Sequence, residues 1–273
     1  MYRYLGFMLV SLFLFTGSAC ASFFDNPVAS SWNIGFWPAD KIGWTLDESD
    51  VTADVLLADA LDAVGEAFRT WDNVLTADYD FENIADLAGA YDFVDDSSWN
   101  WSFSNIVFGG WISGSDWNNL PGNPSNTNIA GTWPFTLREY DSVNGPYKDY
   151  IIDGDGRIDV NGDGYADLAQ AVIFFNDTYT WGTDGSTDKY DIQTVAIHEI
   201  GHALGLGHSP QGVPSVMVGN TDPGEIVHDL FAWDIEQVET LYPMSAPVPE
   251  PGSMLLFMFA FMFKSVIKRL MKQ

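Results

Sequence analysis

One segment, His198-Glu199-Ile-Gly-His202-Ala-Leu-Gly205-Leu-Gly-His208, has the residue types and the spacing of a metal-dependent hydrolytic site. Residues four apart share one face of a helix, so the imidazoles of His198 and His202 can converge on a single ion. A third ligand at His208 requires a sharp turn, which Gly205 permits because glycine adopts positive φ at little cost. Three imidazoles leave the fourth position of a tetrahedral zinc ion open for water, as in catalytic rather than structural sites.

Glu199 lies beside the first of these ligands, where a carboxylate reaches the metal-bound water rather than the metal. It can take a proton from that water as the water attacks a carbonyl, and then deliver the proton to a leaving amine. A chance arrangement is the alternative, expected in about a few chains per million. Three of the four histidines lie in this segment, and we expect the fourth, His228, to be a surface residue that binds no metal. The sequence therefore predicts a catalytic zinc site with Glu199 as general base.

An acidic segment between residues 153 and 167 carries oxygen ligands at alternate positions, interrupted by glycines. Such a pattern can wrap around a hard cation, and six crowded acceptors repel one another without one. Part of it matches an EF-hand loop, but Gln170 replaces the expected glutamate, and the DxDGxxD spacing is more typical of extracellular calcium loops. A solvated acidic turn is the alternative. The predicted calcium ligands are Asp153, Asp155, Asp159, Asn161, Asp163 and Asp167.

Composition and charge limit the class of protein. The chain has 273 residues, of which 47% are hydrophobic, enough for one sizeable domain, or at most two small ones, with a buried core, so global disorder is disfavoured. The formal net charge is −27, and residues 22–249 alone hold six Lys and Arg against 37 Asp and Glu, a net charge of −31. Because such a charge repels phosphate backbones, we exclude nucleic acid as a partner.

Residues 1–21 have a short basic start, an apolar centre and a small-residue site ending at Ala21, which are features of a secretory signal peptide. A membrane anchor is the alternative, but the apolar run Leu5–Phe15 is short for a bilayer span. A lipoprotein signal through Cys20 is a weaker match. We therefore expect export and cleavage after Ala21. Since Cys20 is the sole cysteine, the mature domain, residues 22–245, would have no disulfide.

Residues 246–273 form a proline-containing linker with Val248-Pro-Glu-Pro251, an apolar stretch and a basic end. This order resembles the PEP-CTERM sorting signal of Gram-negative bacteria, which implies processing by an exosortase after transient membrane contact. The stretch Ser253–Phe263 would span only about 16 Å as a helix, against ~30 Å of hydrocarbon. That length favours a sorting signal over the alternative, a permanent tail anchor. We therefore expect the protein at the cell surface or in extracellular matrix.

The secondary-structure pattern indicates an α+β protein. Helical spacing of apolar residues predicts helices at Val51–Val74 and Leu230–Tyr242, and the segment Ile192–Leu204, which carries His198 and His202, is a third predicted helix. Asp50 or Thr52 is a candidate cap for the first of them. Apolar content and length predict strands at Ile106–Phe108 and Ala169–Phe175.

The histidine segment and its neighbours resemble the matrixins, the metzincin family that includes the matrix metalloproteinases. Ser209 follows the third histidine as in matrixins, and Ser215-Val-Met217 resembles the Met-turn, whose methionine lies beneath the zinc. Ala67–Val74 and Leu230–Tyr242 are similar to parts of the family's first and last helices, and Ile173–Trp181 to its edge strand. The resemblance implies a metzincin-like α+β catalytic domain: a twisted mixed sheet, three helices and a small C-terminal lobe after the zinc helix.

The resemblance also implies hydrolysis of peptide bonds in extracellular proteins, with an extended peptide adding to the edge strand near Ile173–Phe175. Two features depart from the family. No histidine precedes His198, so ligands for the second, structural zinc of matrixins are absent, and we expect no cysteine-switch propeptide. One alternative is a catalytically idle, calcium-dependent surface or matrix protein with a metallopeptidase fold, but the presence of Glu199 favours an enzyme. Another, a non-proteolytic zinc hydrolase, is disfavoured by the Met-turn.

Overall fold

The computed structural model describes residues 41–84, 105–120, 124–136 and 168–243. The N-terminal segment, the predicted calcium ligands and the C-terminal segment lie outside the described residues. In chain order the elements are β1 (Lys41–Leu46), α1 (Leu57–Asp72), β2 (Asp80–Asn83), β3 (Asn105–Ile112), α2 (Gly114–Asn119), β4 (Ala130–Thr136), β5 (Leu168–Asn176), β6 (Trp181–Gly182), β7 (Tyr190–Asp191), α3 (Ile192–Ala203) and α4 (Ala232–Leu241). None of the described helices has the length and apolar character needed to cross a bilayer.

Five strands form a mixed sheet in the order β2–β1–β3–β5–β4, and β6 pairs separately with β7. β1 runs parallel to both of its neighbours, and β3 runs parallel to β5. β4 is antiparallel to β5 and forms one edge of the described sheet. This mixed sheet with few helices confirms the predicted α+β, metzincin-like fold class.

The prediction that Ile173–Trp181 forms the edge strand is wrong. Ile173–Phe175 belong to β5, which pairs with β3 on one side and with β4 on the other. The run Ala171–Phe175 is at most 1% exposed, as expected of a strand with neighbours on both sides and covered faces. Trp181 lies beyond β5, in β6. Of the two edge strands of the described sheet, β2 and β4, it is β4 that lies next to β5.

Both faces of the sheet are covered, and β5 contributes to each. Ile173 and Phe175 belong to the main core, together with residues of α1 and α3. Val172 and Phe174 pack on the opposite face in a smaller cluster around Trp117 of α2. Because successive side chains of a strand point to opposite faces, this alternation leaves β5 fully enclosed.

α1 packs against the sheet and against α3. The ring of Phe68 stacks on Trp44 of β1 at a centroid distance of 4.5 Å. The indole Nε1 of Trp71 donates a 2.9 Å hydrogen bond to the backbone oxygen of Ile197 in α3. α1 therefore connects the sheet to the helix that carries the histidines.

α1 begins at Leu57, six residues later than the predicted start at Val51. Neither of the predicted caps is used. Thr52 Oγ1 instead accepts from the backbone N–H of Asp54, and Asp54 Oδ2 accepts from the backbone N–H of Trp181. These short polar side chains satisfy backbone donors outside a helix and so stabilise an irregular segment. The other two predicted helices match α3 and α4 within two residues at each end.

Candidate metal centre

The start of α3 is held by Asp191. Its Oδ2 accepts from the backbone N–H and the hydroxyl of Thr194, both at 2.8 Å, which makes it the N-cap of the helix. The same oxygen lies 2.7 Å from Nε2 of His228. His228 is thus not isolated at the surface, because its half-buried ring contacts a buried carboxylate at the cap.

Gly205 ends α3 in the way the sequence predicted. Its φ is +98°, in the region that residues other than glycine rarely adopt. The N–H of Gly205 donates to His202 O, and that of Leu206 donates to Gly201 O, which together form a Schellman motif. The chain therefore turns sharply after the second histidine and returns with His208.

The three imidazoles converge. One ligand atom from each of His198, His202 and His208 lies within 4.8 Å of the other two. Nδ1 of His198 lies 2.8 Å from Val216 O, and Nδ1 of His202 lies 2.8 Å from Leu206 O. A carbonyl only accepts, so both Nδ1 atoms carry the proton and both Nε2 atoms present a lone pair.

The chemistry of this donor set fits zinc. Nε2 of His198 and Nε2 of His202 are buried and have no hydrogen-bond partner among the described residues. A buried polar atom without a partner is costly, and coordination of a metal ion would remove that cost. Burial, followed by the charge of His208, lowers the pKa of His198 to about 4. Burial is also the main cause that lowers the pKa of His202, so both rings are neutral ligands at neutral pH.

Met217 lies against α3 at Gly201, between the first two histidines. Its side chain is fully buried, and a Cβ at Gly201 would lie 2.3 Å from Met217 Sδ. Only glycine permits so close an approach. The Met217 carbonyl accepts a 2.8 Å hydrogen bond from the N–H of Ser209, which joins the Met-turn to the segment carrying His208. Met217 therefore packs against the helix that carries the first two histidines.

Asp234, near the start of α4, holds the Met-turn in place. It is fully buried, and its Oδ2 accepts from the backbone N–H groups of Val216 and Phe231 at 3.0 and 2.9 Å. Its Oδ1 accepts from the hydroxyl of Ser215, whose oxygen in turn accepts from the N–H of Met217. Through Val216 this contact also orients the first histidine. Sequence reasoning missed Asp234, although an acidic residue in the first turn of a helix is a recognisable capping signal.

Glu199 is fully buried, and Thr132 of the edge strand β4 binds it. The Thr132 hydroxyl lies 2.7 Å from Glu199 Oε2 and 3.0 Å from the backbone oxygen of the same residue. The hydroxyl has one proton, and the shorter distance indicates that it donates mainly to the carboxylate. No local sequence signal identifies this contact, because the two residues lie 67 positions apart.

A cavity of about 390 Å³ opens beside His198 and Glu199. Its apolar wall comes from Ile129, Val195 and Val218, and its polar side includes Asn128, Tyr190 and the loop Gly219–Asp222 after the Met-turn. Burial, then the charges of Tyr179 and Asp222, raise the pKa of Tyr190, so its phenol stays protonated. A substrate side chain next to the reacting bond could enter this cavity.

Comparisons with known proteins agree with this geometry. Residues 143–243 match the Matrixin peptidase family. The chain is 34% identical over 99 residues to Metalloendoproteinase 1 of Glycine max, covering 34% of this chain and 31% of that protein. It is 30% identical over 104 residues to Matrix metalloproteinase-19 of Homo sapiens, covering 37% of this chain and 19% of that protein. It is 38% identical over 69 residues to Metalloendoproteinase 2-MMP of Arabidopsis thaliana, covering 23% of this chain and 18% of that protein.

The aligned regions thus span about a third or less of these relatives. Matrixins use zinc, and the cluster of His198, His202 and His208 is consistent with a zinc site. The chain is similar to matrixin metallopeptidases, and its described part has the α+β fold of a metzincin-like catalytic domain.

Proposed function

We propose that the protein is a zinc-dependent endopeptidase that hydrolyses peptide bonds of extracellular proteins. The observation that supports this most is the convergence of His198, His202 and His208 beside a buried Glu199. When bound there, zinc lowers the pKa of a water molecule and polarises the scissile carbonyl. The open cavity next to Glu199 gives a substrate access to these groups.

In this proposal Glu199 is the general base and then the general acid. Its carboxylate takes a proton from the attacking water and delivers that proton to the leaving amine. The Thr132 hydroxyl keeps the carboxylate in one orientation through the contact at Oε2. A base held in position needs no reorganisation when the proton moves.

The proposed substrate binds as an extended strand along β4. β4 is an edge strand of the described sheet, and an extended peptide can add to an edge strand through backbone hydrogen bonds. β4 suits this role because Thr132, in its middle, contacts the proposed base. A peptide paired with this edge would pass close to the metal centre.

Glu199→Gln tests the proposed function. The variant keeps the shape of the side chain but cannot accept a proton, so we expect stoichiometric zinc and a loss of several orders of magnitude in peptide hydrolysis. Zinc content by elemental analysis and cleavage of a fluorogenic peptide library measure the two properties. Glu236→Gln, at an exposed carboxylate on α4, is the matched control and should cleave normally. Wild-type turnover in Glu199→Gln would refute the role of the base.

We also propose a structural calcium site formed by residues 153–167. The high negative charge of the chain and the absence of a disulfide from residues 22–245 support a need for such a cation. EGTA, added with a buffered supply of zinc, should lower the melting temperature by several degrees without removing zinc. The same melting temperature with and without calcium, together with no calcium by elemental analysis, would contradict this.

A final part of the proposal is export. We propose that residues 1–21 direct secretion and that residues 246–273 are cut by an exosortase-type enzyme of a Gram-negative bacterium. The apolar and basic order of both segments supports this. Intact mass spectrometry of the protein from its native host should find ends near Ser22 and Pro249–Gly252. Recovery from membranes with Gln273 still attached would support a tail anchor instead.

A further inference from the structure

We propose that the cavity beside His198 and Glu199 selects a cationic hydrogen-bond donor, a lysine or arginine side chain next to the scissile bond. This inference rests on the proposed endopeptidase function and adds a substrate preference to it. It comes from three properties of the lining: a buried acceptor, a carboxylate at the polar side and an apolar wall.

The buried acceptor is the side-chain oxygen of Asn128. The residue is only 5% exposed, and its Oδ1 has no hydrogen-bond partner among the described residues. Its backbone is fixed at both ends, since its N–H donates to Ser125 O and its carbonyl accepts from Nδ2 of Asn176, each at 2.9 Å. A rigid, buried acceptor without a partner is costly, and a donor from a bound side chain would satisfy it.

The carboxylate is that of Asp222, which lines the same cavity. Glu225 is close to it, because Glu225 Oε2 accepts a 3.1 Å hydrogen bond from the N–H of Asp222. Of the described residues that line the cavity, none is lysine or arginine. At the end of the cavity away from the metal centre, the charge near Asp222 is therefore negative, which attracts a cationic side chain and repels an acidic one.

The apolar wall completes the match. Ile129, Val195 and Val218 face the cavity and can contact the aliphatic stem of a lysine or arginine. A leucine would gain the same apolar contacts but would leave Asn128 Oδ1 without a donor. Sites that offer hydrogen bonds discriminate strongly against ligands that cannot make them. The combination therefore fits a long side chain with an apolar stem and a charged donor at its end.

A pair of peptides that differ in one residue tests this preference. They carry either lysine or norleucine immediately after the scissile bond, and norleucine has the same four-carbon stem without the ammonium group. The full zinc-loaded chain should cleave the lysine peptide with a kcat/KM about tenfold to a hundredfold higher. A third peptide with glutamate at that position should be the poorest substrate.

Two variants identify the groups responsible. Asn128→Leu and Asp222→Asn should each lower the lysine-to-norleucine ratio of kcat/KM several-fold. Asp222 is exposed, so its variant keeps the test decisive if Asn128→Leu fails to fold. Glu236→Gln removes an exposed carboxylate outside the cavity and should leave the ratio unchanged.

Equal cleavage of the lysine and norleucine peptides would overturn the inference and leave the endopeptidase function intact. A ratio that neither variant changes would overturn it as well. Failure to cleave any peptide would instead contradict the proposed function. In that case the affinities of the same two peptides for the zinc-loaded chain, measured by fluorescence anisotropy, decide the point, and equal affinities would overturn the preference.

Discussion

The helices α1 and α3 pack against each other, yet the protein surrounds them to very different degrees. In α3, eleven of the twelve residues are buried, whereas in α1 only six of sixteen are. α1 contacts the core along one stripe and exposes its other side to solvent. α3 is enclosed by α1, β4 and the Met-turn. The helix that carries the histidines is therefore buried along almost its whole length apart from the cavity beside His198 and Glu199, and the same substitution should have opposite effects in the two helices.

Gly201→Ala in α3 should have the largest effect. The new Cβ would lie 2.3 Å from Met217 Sδ and 3.0 Å from the Trp71 ring, so buried groups must shift. We expect a loss of about 2–4 kcal/mol of unfolding free energy, together with weaker zinc binding, because both histidines flank this residue. Chemical denaturation and zinc titration measure these losses. Stability equal to that of the parent chain would show that the space around Gly201 can accommodate a methyl group.

Trp71→Phe tests the contact between the two helices. It removes the 2.9 Å hydrogen bond from the indole to Ile197 O and leaves a small void where the larger ring was fully buried. The expected cost is about 2 kcal/mol of unfolding free energy. If the loss of unfolding free energy measured by urea denaturation is less than a few tenths of this value, other contacts hold the two helices together.

Thr132→Val tests how the edge strand acts on α3. The substitution keeps the shape of the side chain and removes the hydroxyl that binds the Glu199 carboxylate. We expect kcat to fall about tenfold, equivalent to ~1.4 kcal/mol, with KM and zinc content little changed. Thr132→Ser restores the hydroxyl and should recover most of the rate. If kcat falls as much in Thr132→Ser as in Thr132→Val, packing of the side chain, rather than its hydroxyl, determines the rate.

Gly65→Ala in α1 should have the smallest effect and the opposite sign to Gly201→Ala. The nearest atom to the new Cβ is in the Trp44 ring at 3.7 Å, an ordinary contact. Replacing glycine by alanine inside a helix should raise the unfolding free energy by about 0.5–1 kcal/mol. Thermal unfolding of the two alanine variants side by side gives the comparison directly. Destabilisation of both would remove the distinction between the helices.

The two helices were also predicted from different signals. Apolar spacing predicted α1 because one face of that helix is buried, and the error at its start came from polar side chains such as Thr52 that bind backbone groups. α3 is buried on nearly all sides and carries polar residues among its apolar ones, so the spacing of His198 and His202 identified it more clearly than any hydrophobic stripe. Periodicity is informative only where a helix has one buried face.

Contacts between distant segments could not be predicted from the sequence. Thr132 with Glu199, Asp234 with the Met-turn and Trp71 with Ile197 all depend on the tertiary structure. The edge strand was assigned wrongly because an apolar run does not reveal its neighbours. Pro134, in β4, was a signal that could have been used, since proline within sheets is found at edges.

The hydrogen bonds that orient the metal ligands have one further consequence, for the order of folding. His202 binds a carbonyl four residues away, His198 one that is 18 residues away, and Ser215 binds Asp234 across 19 residues. The contacts of α3 with Thr132 and Trp71 span 67 and 126 residues. Because the entropy of loop closure grows with length, short loops close first. We expect the three histidines to capture their metal before β4 docks against Glu199, so that metal loading precedes catalytic competence during folding.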